Sequence, residues 1–273
     1  MKTTDNKQQP KIAIMLMVHK NEAQANRLIK HLAEDFDVYV HIDKRSSVHI
    51  QDLDSVFVYK KYAPYWASFN IVKATLHLLS EAYKRGYDRY ILISAQDLPL
   101  RTNAEIRVFF ENNNCEYIDI QKISASNMKR VTQYWSHHIN IISKALFKLF
   151  STIKRRPIDY DFYKGAQWMN LTHNCVEKIF LYLNENEDYI KRYEWTHCAD
   201  ELFFHTIIHQ LDGLEIKNKC LRYIDWQSGG SIKHPKTLRM EDYETIRGSN
   251  QLFARKFDTT IDKEIVDLIY ATI

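Results

Sequence analysis

The spacing of apolar residues changes twice along the first part of the chain. Residues 11–19 and 37–43 are short, almost continuous apolar runs, which is typical of strands buried on both faces of a sheet. Residues 21–36 lie between them and carry apolar side chains three and four positions apart, which predicts an amphipathic helix. A strand, a helix and a second strand in this order form a βαβ unit.

The same alternation of strands and helices continues to the end of the chain. The pattern predicts further strands at 55–59, 89–94, 116–120, 166–171 and 222–226. It predicts further helices at 68–86, 103–110, 174–183, 199–211 and 263–270. This alternation favours an α/β fold with an open, doubly wound and mainly parallel central sheet flanked by helices. We expect one domain over 11–273, after a flexible N-terminus at 1–10.

Composition narrows the class of protein. The 38 Lys and Arg residues nearly balance the 34 Asp and Glu residues, and a net charge of +4 does not suggest nucleic-acid binding. The polar start lacks the apolar core of a signal peptide, and no apolar run reaches the roughly 18 residues of a spanning helix. The four cysteines lie far apart without a C-x-x-C pair. We therefore expect reduced thiols and a cytoplasmic protein.

One segment departs from this charge balance. Residues 122–156 contain eight Lys or Arg and no Asp or Glu. Within this basic segment, residues 141–153 carry an apolar stripe at helical spacing. The simplest interpretation is a surface helix that packs by its stripe. The alternatives are a peripheral contact with an anionic membrane and a binding wall for a charged acceptor.

Polar side chains follow three of the predicted strands. His19 ends the first strand, Asp43 ends the second, and Asp97 follows the strand at 89–94. Ligands of open α/β sheets bind beyond the carboxyl ends of the strands, so these side chains predict one shared cleft. The chain has no G-x-G-x-x-G motif and no P-loop, which removes the usual support for a dinucleotide or ATP-loop site.

The predicted helix at 199–211 allows two kinds of chemistry. In the first, Asp200 and Glu201 open the helix, and Glu201 acts as a general base in the cleft. In the second, Glu201, His205 and His209 share one helix face and hold a metal ion. That pattern lacks the glutamate found between the histidines of H-E-x-x-H enzymes. Two partly buried histidines with ordinary hydrogen bonds are therefore favoured over a metal site.

Basic residues gather near the C-terminus. Lys233, His234 and Lys236 precede a predicted turn, and Arg255 and Lys256 lie beside two phenylalanines. A basic pair in an apolar setting is costly unless it meets an anion. The cluster therefore indicates an anion site, with a snorkelling pair of surface side chains as the alternative.

Six segments together resemble one known family. Their order and spacing are similar to those of the core-2/I-branching β-1,6-N-acetylglucosaminyltransferases and peptide O-xylosyltransferases, glycosyltransferase family 14. The resemblance covers 12–258 and depends most on the QDLPLRTN, DELFF and ARKF strings. The six segments are VYVHIDKRS, YWASFNIVKATLHLL, YDRYILISAQDLPLRTNAEI, YKGAQWMNLT, ADELFFHTI and LFARKFD.

The resemblance implies a GT-A-like, Rossmann-type fold in one domain, with a nucleotide-binding half near 11–120 and an acceptor and catalytic half near 121–273. It implies inverting transfer from a UDP-sugar that requires no metal or other cofactor. The chain shows neither a membrane anchor nor a disulfide pattern, and in this it resembles the shorter bacterial members of the family. This implies work on glycan or glycolipid precursors in the cytoplasm, with peripheral contact at the inner face of the membrane.

The matched motifs also imply roles for individual residues. Glu201 matches the catalytic base of the family, and Lys256 matches the lysine that meets the donor diphosphate. Asp43 falls at the uridine-binding strand end, and Trp66 falls in the donor-pocket segment. Lys233 falls on a second phosphate ligand by its spacing from Lys256.

The assignment of Lys233 is less direct than the others, and His234 and Lys236 are alternatives to it. No metal ligand is expected. The expected substrate-binding residues are Asp43, Trp66, Asp97, Asp200, Lys233, Arg255 and Lys256.

The sequence itself also supports transfer without a metal ion. Many GT-A enzymes hold a divalent ion with D-x-D after a central strand, but the corresponding S-A-Q-D here has the single carboxylate Asp97. The D-x-D strings that begin at Asp52 and Asp159 do not directly follow a strong strand. Lys233 and Lys256 are expected to neutralise the UDP leaving group in place of a metal.

The leading hypothesis is an inverting, metal-independent glycosyltransferase that moves GlcNAc, or alternatively xylose or another hexose, from a UDP-sugar to a glycan or glycolipid hydroxyl. The first alternative is a metal-dependent hydrolase built on Glu201, His205 and His209. The second alternative is a noncatalytic glycan- or lipid-binding protein that uses the basic segment.

Overall fold

The structure is a computed structural model that describes residues 9–135, 155, 161–226 and 234–273. Its strands are β1 (Ile12–Val18), β2 (Asp37–Ile42), β3 (Val56–Tyr59), β4 (Arg89–Ser94), β5 (Asp97–Pro99), β6 (Glu116–Ile118), β7 (Gln121–Lys122), β8 (Tyr163–Lys164), β9 (Met169–Thr172), β10 (Ile216–Lys217), β11 (Arg222–Ile224) and β12 (Phe253–Arg255). Its α-helices are α1 (Glu22–Leu32), α2 (Asn70–Tyr83), α3 (Asn103–Phe110), α4 (Lys129–Thr132), α5 (His173–Glu185), α6 (Glu187–Tyr193), α7 (Phe203–Gln210), α8 (Tyr243–Gly248) and α9 (Lys263–Ala271). Within the described ranges, 3-10 turns lie at Ala125–Asn127, Ala199–Glu201 and Met240–Asp242.

The central sheet has seven strands in the order β10-β6-β9-β4-β1-β2-β3. Strands β1 to β4 run parallel, as do β6 and β10, whereas β9 is antiparallel to both β4 and β6. The predicted α/β fold with a mainly parallel central sheet flanked by helices is confirmed. The reversal of β9 was not predicted, because a short buried strand has the same apolar pattern in either direction.

The side chains of β1 explain why the sheet is covered on both faces. Ile12, Ile14 and Leu16 pack in one core with α1, α3 and α9. Ala13 and Met15 pack in a second core with α2, α5 and α7. Alternate residues of a strand point to opposite faces, so a continuous apolar run requires apolar cover on both.

The strand register brings the predicted strand ends to one edge of the sheet. Met17 of β1 pairs with His41 of β2 on one side and with Ser94 of β4 on the other. The residues that follow β1 and β2, His19 and Asp43, therefore leave the sheet at the same edge. Because β2 and β4 lie on opposite sides of β1, a cleft opens between the loops that follow them.

A three-stranded sheet carries the C-terminal basic pair to this edge. Strand β12 lies between β11 and β5, parallel to the first and antiparallel to the second. In this register Arg255 lies opposite Asp97. Each strand has three residues, which is too short for a clear periodicity, and only β11 was predicted, at 222–226.

The predicted helix at 199–211 is divided into two elements. Its start is the 3-10 turn Ala199–Glu201, and α7 begins only after Leu202, whose φ of −129° is not helical. The expectation that Asp200 and Glu201 open an α-helix is therefore wrong. Apolar spacing could not reveal this break, because the buried side chains keep a helical spacing across it.

The basic segment is only partly described. Its amphipathic part, 141–153, lies outside the described residues. Elsewhere in the segment, Lys122 pairs with Asp161 at 2.6 Å and Arg130 pairs with Glu201 at 2.9 Å. Acidic residues from outside the segment therefore compensate part of its charge. Among the residues that the structure describes, no helix combines the length and the apolar character needed to cross a bilayer.

Candidate functional site

In the part of the chain that the structure describes, two connected chambers open at the carboxyl edge of the central sheet. The first has a volume of about 370 Å³ and the second about 410 Å³. Both are lined by His19, Trp66, Gln96, Trp168 and Arg255. The first chamber adds Asp43 and Arg45. The second adds Lys20, Asp200, Glu201, His234 and Lys256.

Asp43 and Arg45 form an ion pair in the first chamber. Asp43 is 5 % exposed, and its two carboxylate oxygens accept hydrogen bonds from Arg45 Nε at 3.0 Å and Nη2 at 2.6 Å. Burial raises the pKa of Asp43, but the hydrogen bonds from Arg45 outweigh it and leave the pKa below its ordinary value. Arg45 also lies 3.8 Å from the ring centre of Tyr65. The strand end therefore presents a charged carboxylate held by a fixed guanidinium.

Arg255 lies where the two chambers meet. Its side chain is 14 % exposed, and its guanidinium lies 4.2 Å from the ring centre of Trp168. Its Nε and Nη1 are buried without a hydrogen-bond partner among the described residues, and Nη1 is 3.7 Å from Asp97 Oδ2. Burial lowers the pKa of Arg255, and the charge of Asp97 opposes that shift. The protein therefore compensates the charge of Arg255 only in part.

Asp97 lies behind the cleft wall and lines neither chamber. It is fully buried, and it accepts hydrogen bonds at 2.9 Å from Arg222 Nε and from the backbone N of Ser94. Arg222 and Arg255 thus share this one carboxylate. The structure places Asp97 as a support for Arg255, and not at the ligand contact that the sequence pattern predicted.

The second chamber contains further positive charge. Lys256 and Lys20 both line it, and Lys20 Nζ is 2.6 Å from Asp258 Oδ2. Burial lowers the pKa of Lys256, and the charges of Lys20 and Arg255 lower it further. Burial and neighbouring cations thus disfavour the charged ammonium until an anion binds beside it.

Of the three residues predicted as candidates for a second phosphate contact, two lie among the described residues. Lys233 lies outside the described residues. His234 lines the second chamber, with its ring centroid 6.4 Å from that of Trp66. Lys236 pairs with Asp242 at 2.7 Å and does not line either chamber.

Glu201 lies between the second chamber and a third cavity of about 440 Å³. Its side chain is 39 % exposed, and its Oε2 accepts a hydrogen bond from Arg130 Nη2 at 2.9 Å. Arg130 is buried and also donates to the backbone O of His197 at 3.0 Å and of Cys198 at 2.8 Å. A fixed donor therefore orients the carboxylate, which still faces both cavities.

A glycine keeps the third cavity close to Glu201. The backbone N of Gly165 donates to Glu201 O at 3.0 Å, and a Cβ at Gly165 would lie 1.8 Å from Asp119 O. Any side chain there would displace the backbone beside the candidate base. The cavity is also lined by Lys164 and by Trp226, which is 49 % exposed.

Asp200 lines the second chamber next to Glu201, but its environment differs. Its Oδ1 is buried without a hydrogen-bond partner among the described residues. Burial raises the pKa of Asp200 to about 7, and the charge of Glu201 adds to the shift. Asp200 therefore holds its proton at pH values where an ordinary Asp has lost it.

The residues of the metal alternative are not assembled into one site. His205 is buried with Nε2 2.9 Å from Ala166 O, and burial lowers the pKa of His205 to about 4. His209 instead stacks on Tyr163, with ring centroids 3.5 Å apart. No group of three or more His, Cys, Asp and Glu in the described ranges is placed to hold a metal ion. The hydrolase alternative therefore has no ligand set among those residues.

The structure brings six of the eight expected catalytic and substrate-binding residues to one cleft, together with His19 and His234. The six are Asp43, Trp66, Asp200, Glu201, Arg255 and Lys256. Sequence patterns missed Lys20, Arg45, Arg130, Trp168 and Trp226. A signal existed for Arg45, two positions after Asp43, and for Trp168 in the matched AQW string. Arg130 had no such signal, because it meets Glu201 across 71 positions of sequence.

Fold and site together define an α/β protein with a cleft lined by charged and aromatic side chains at the carboxyl edge of its sheet. The family model of the Core-2/I-Branching enzymes matches residues 12–248. Because this match covers most of the chain, the chain belongs to the Core-2/I-Branching enzyme family, which is a family of glycosyltransferases.

The chain is also similar to curated xylosyltransferases. It is 22 % identical to xylosyltransferase 2 of Rattus norvegicus over 295 residues, which cover 95 % of this chain and 33 % of the relative. Identity to xylosyltransferase 2 of Homo sapiens is 23 % with the same coverage. Identity to xylosyltransferase 1 of Rattus norvegicus is 24 % over 297 residues, covering 94 % and 34 %. The chain thus spans about a third of the length of these relatives.

Proposed function

We propose that the chain is an inverting, metal-independent glycosyltransferase that moves a sugar from a UDP-sugar to a hydroxyl of a glycan or glycolipid. The observation that carries this proposal is the excess positive charge where the two chambers meet. There, Arg222 and Arg255 share the single carboxylate of Asp97, and Lys256 lines the adjoining chamber. A diphosphate is the part of a nucleotide-sugar that such a cluster binds.

The first chamber suits a nucleoside. The carboxylate of Asp43 is available to accept a hydrogen bond from a base N–H or a ribose hydroxyl, while Arg45 keeps it in place. Trp66 and Trp168 add flat apolar surface. The volume of about 370 Å³ falls in the range of about 300–1,000 Å³ for small-molecule sites. These features support uridine in the first chamber and the donor sugar in the second.

The position of Glu201 supports its role as the base. An acceptor hydroxyl that reaches this carboxylate lies next to the donor sugar in the second chamber. As the bond from the acceptor oxygen to the anomeric carbon forms, Glu201 takes the hydroxyl proton. The bond from that carbon to the UDP oxygen breaks, and its electron pair stays on the diphosphate, where Arg255 and Lys256 neutralise the charge. Attack from the side away from the diphosphate inverts the anomeric centre.

The surroundings of Asp97 support transfer without a metal ion. Asp97 is the single carboxylate directly after β4, and it is fully buried and bound to Arg222. It is therefore not free to take a cation from the cleft. Fixed guanidinium and ammonium groups supply the charge neutralisation that a divalent ion gives in other enzymes.

For the donor sugar, we propose GlcNAc first and xylose second, with other hexoses after them. The relatives named xylosyltransferases are the reason to test xylose alongside GlcNAc.

For the compartment, we propose the cytoplasm, with peripheral contact at the inner face of the membrane through the basic segment. Free thiols at Cys115, Cys175, Cys198 and Cys220 suit a reducing compartment.

A donor screen with the full chain tests this proposal. UDP-GlcNAc, UDP-xylose, UDP-glucose and UDP-galactose are compared with GDP-mannose for thermal stabilisation and for donor hydrolysis. We expect the uridine nucleotides to raise Tm and at least one UDP-sugar to be hydrolysed. If no uridine nucleotide raises Tm, the proposal is contradicted. Tight UDP binding without turnover of any donor would favour the noncatalytic alternative.

A further inference from the structure

A separate pocket of about 260 Å³ lies beside the start of α2, outside the cleft. Its lining includes Tyr65, Ser68, Lys73, Trp135, Glu194 and Trp195. None of these six residues lines the two chambers or the third cavity. The pocket is therefore available for a contact that the transfer step does not use.

Aromatic rings form much of the pocket wall, and the contacts of Trp135 and Tyr65 orient two of them. Trp135 Nε1 donates to Lys129 O at 3.0 Å, and the backbone N of Trp135 donates to Trp195 O at 2.8 Å. The Arg45 guanidinium lies 3.8 Å from the ring centre of Tyr65. Trp195 is 45 % exposed in spite of its large apolar surface. Exposed aromatic rings in a concave site are typical of ligand contacts.

Polar groups complete the pocket. Ser68 is 5 % exposed, and its Oγ has no hydrogen-bond partner among the described residues. A buried hydroxyl without a hydrogen-bond partner can form a hydrogen bond with a polar ligand that enters the pocket. Lys73 Nζ lies 3.2 Å from Glu194 Oε1, and both side chains are partly exposed. The charges of Lys73 and Glu194 cancel, so the pocket offers donors and acceptors without a net charge.

We propose that this pocket is a subsite for a neutral saccharide. Its flat rings match the apolar faces of a pyranose, and its hydroxyl, ammonium and carboxylate groups match the pyranose hydroxyls. Because the lining charges cancel, a phosphate or sulfate gains nothing over a neutral polyol. The proposal rests on the proposed function in one respect, which is that the saccharide is a distal part of the acceptor glycan.

A row of rings connects this pocket with the cleft. Trp66 of the cleft lies edge-on to His197, with ring centroids 5.5 Å apart. His197 in turn lies 4.7 Å from Trp135 of the pocket, centroid to centroid. An oligosaccharide whose reacting end is at Glu201 can extend along this row into the pocket. A free monosaccharide cannot occupy both places.

Binding of neutral oligosaccharides to the full chain tests the proposal. The probes are β-1,4-linked GlcNAc and xylose oligomers, from disaccharide to hexasaccharide, titrated calorimetrically with and without UDP. The variants are Trp195→Ala and Ser68→Ala. Leu181→Ala is the matched control, because it truncates an apolar side chain on α5 that is 56 % exposed and outside the pocket.

We expect the longer oligomers of at least one series to bind, and Trp195→Ala to weaken that binding by about tenfold or more. Ser68→Ala weakens it to a smaller degree, and Leu181→Ala leaves it unchanged. UDP affinity and Tm stay at the wild-type values in all three variants.

Several outcomes would overturn the proposal. They are failure of every neutral oligomer to bind, unchanged binding to Trp195→Ala, and a preference for sulfated oligomers over neutral ones. These results leave the proposed function untouched if UDP-sugars are still turned over. Conversely, Trp195-dependent binding in a protein that uses no UDP-sugar supports the saccharide subsite while the proposed function fails.

Discussion

Arg255 and Asp97 lie opposite each other where β12 pairs with β5, with Nη1 of the arginine 3.7 Å from Oδ2 of the aspartate. The same carboxylate binds Arg222, so one buried Asp supports two guanidinium groups. Only Arg255 of this trio lines the cleft. The position of the Arg255 guanidinium therefore depends on contacts behind the cleft wall, where two short strands that are distant in sequence pair with each other.

Asp97→Asn tests this support. We expect a loss of about 3–5 kcal/mol in the free energy of unfolding, because the change leaves the buried Arg222 without its charged partner. UDP affinity falls as well, since Arg255 is no longer held. The measurements are denaturant unfolding and calorimetric UDP titration. Asp267→Asn is the control, because Asp267 pairs with Lys263 and Arg27 at the surface, and we expect little change there. Wild-type stability in Asp97→Asn would contradict the supporting role.

Lys256→Ala tests the anion site. We expect UDP affinity and turnover to fall together, because the ammonium meets the diphosphate in both the bound and the transition state. A hydrogen bond to a charged group contributes about 1.5–3 kcal/mol, which is roughly ten- to hundredfold in Kd. Lys236→Ala is the matched control, since Lys236 pairs with Asp242 outside the chambers. Calorimetry that finds the same UDP affinity in Lys256→Ala and the wild type would remove Lys256 from the site.

Asp200→Asn tests the buried carboxyl next to the base. The pKa of Asp200 is raised to about 7 by burial and by Glu201, so the folded state holds a proton that the unfolded state releases near pH 4. The free energy of unfolding should therefore fall as the pH rises from about 4 to about 7, by on the order of a few kcal/mol, and level off above that. Asp200→Asn removes this dependence.

The measurement for Asp200 is the change in Tm between pH 5 and pH 8. We expect the change to be smaller in Asp200→Asn than in the wild type, with the variant gaining relative stability at pH 8. Asp212→Asn, at an exposed position, should keep the wild-type dependence. Identical pH profiles for Asp200→Asn and the wild type would show that Asp200 is ionised at neutral pH.

Chelation tests the metal-free mechanism. We expect EDTA to leave transfer largely intact, because the carboxylate after β4 is bound to Arg222 and the cleft supplies its own cations. The assay is donor turnover before and after EDTA, followed by addition of Mn²⁺. Activity that is lost with EDTA and restored by Mn²⁺ would contradict this mechanism.

Much of the fold could be predicted because buried strands and amphipathic helices leave a periodic apolar pattern. The bounds of β4 and α3 agree with the predicted 89–94 and 103–110. The pattern failed where an element is too short to show a period, as in β5 and β12. It also failed to show α6 and α8, which have seven and six residues. The direction of β9 was hidden for another reason, because a buried strand has the same apolar pattern whether it runs parallel or antiparallel to its neighbours.

The site was predictable where a local rule applies and unpredictable where tertiary contacts decide. Asp43 could be singled out because it follows a buried parallel strand. The same rule singled out Asp97, but a sequence pattern cannot tell a carboxylate in the wall from one buried behind it. Arg130 and Glu201 are 71 positions apart in the sequence and meet only in the folded protein. No local sequence pattern predicts that contact.

Glu201→Gln tests the proposed role of Glu201 as the base that takes the acceptor proton. Glu201→Gln keeps the size of the side chain and its ability to accept the hydrogen bond from Arg130, but the amide does not accept a proton at neutral pH. The loss should therefore appear in turnover and not in donor binding. Glu215→Gln, at an exposed glutamate away from the cleft, is the matched control.

The most direct measurement compares turnover and UDP affinity of Glu201→Gln with those of the wild type, under the same donor and acceptor. We predict a turnover loss of about 10²–10⁴-fold, the usual contribution of a positioned general base, with the Kd for UDP unchanged. Turnover above about a tenth of the wild-type value, well outside that range, would contradict the assignment and make Asp200 the next residue to test as the base.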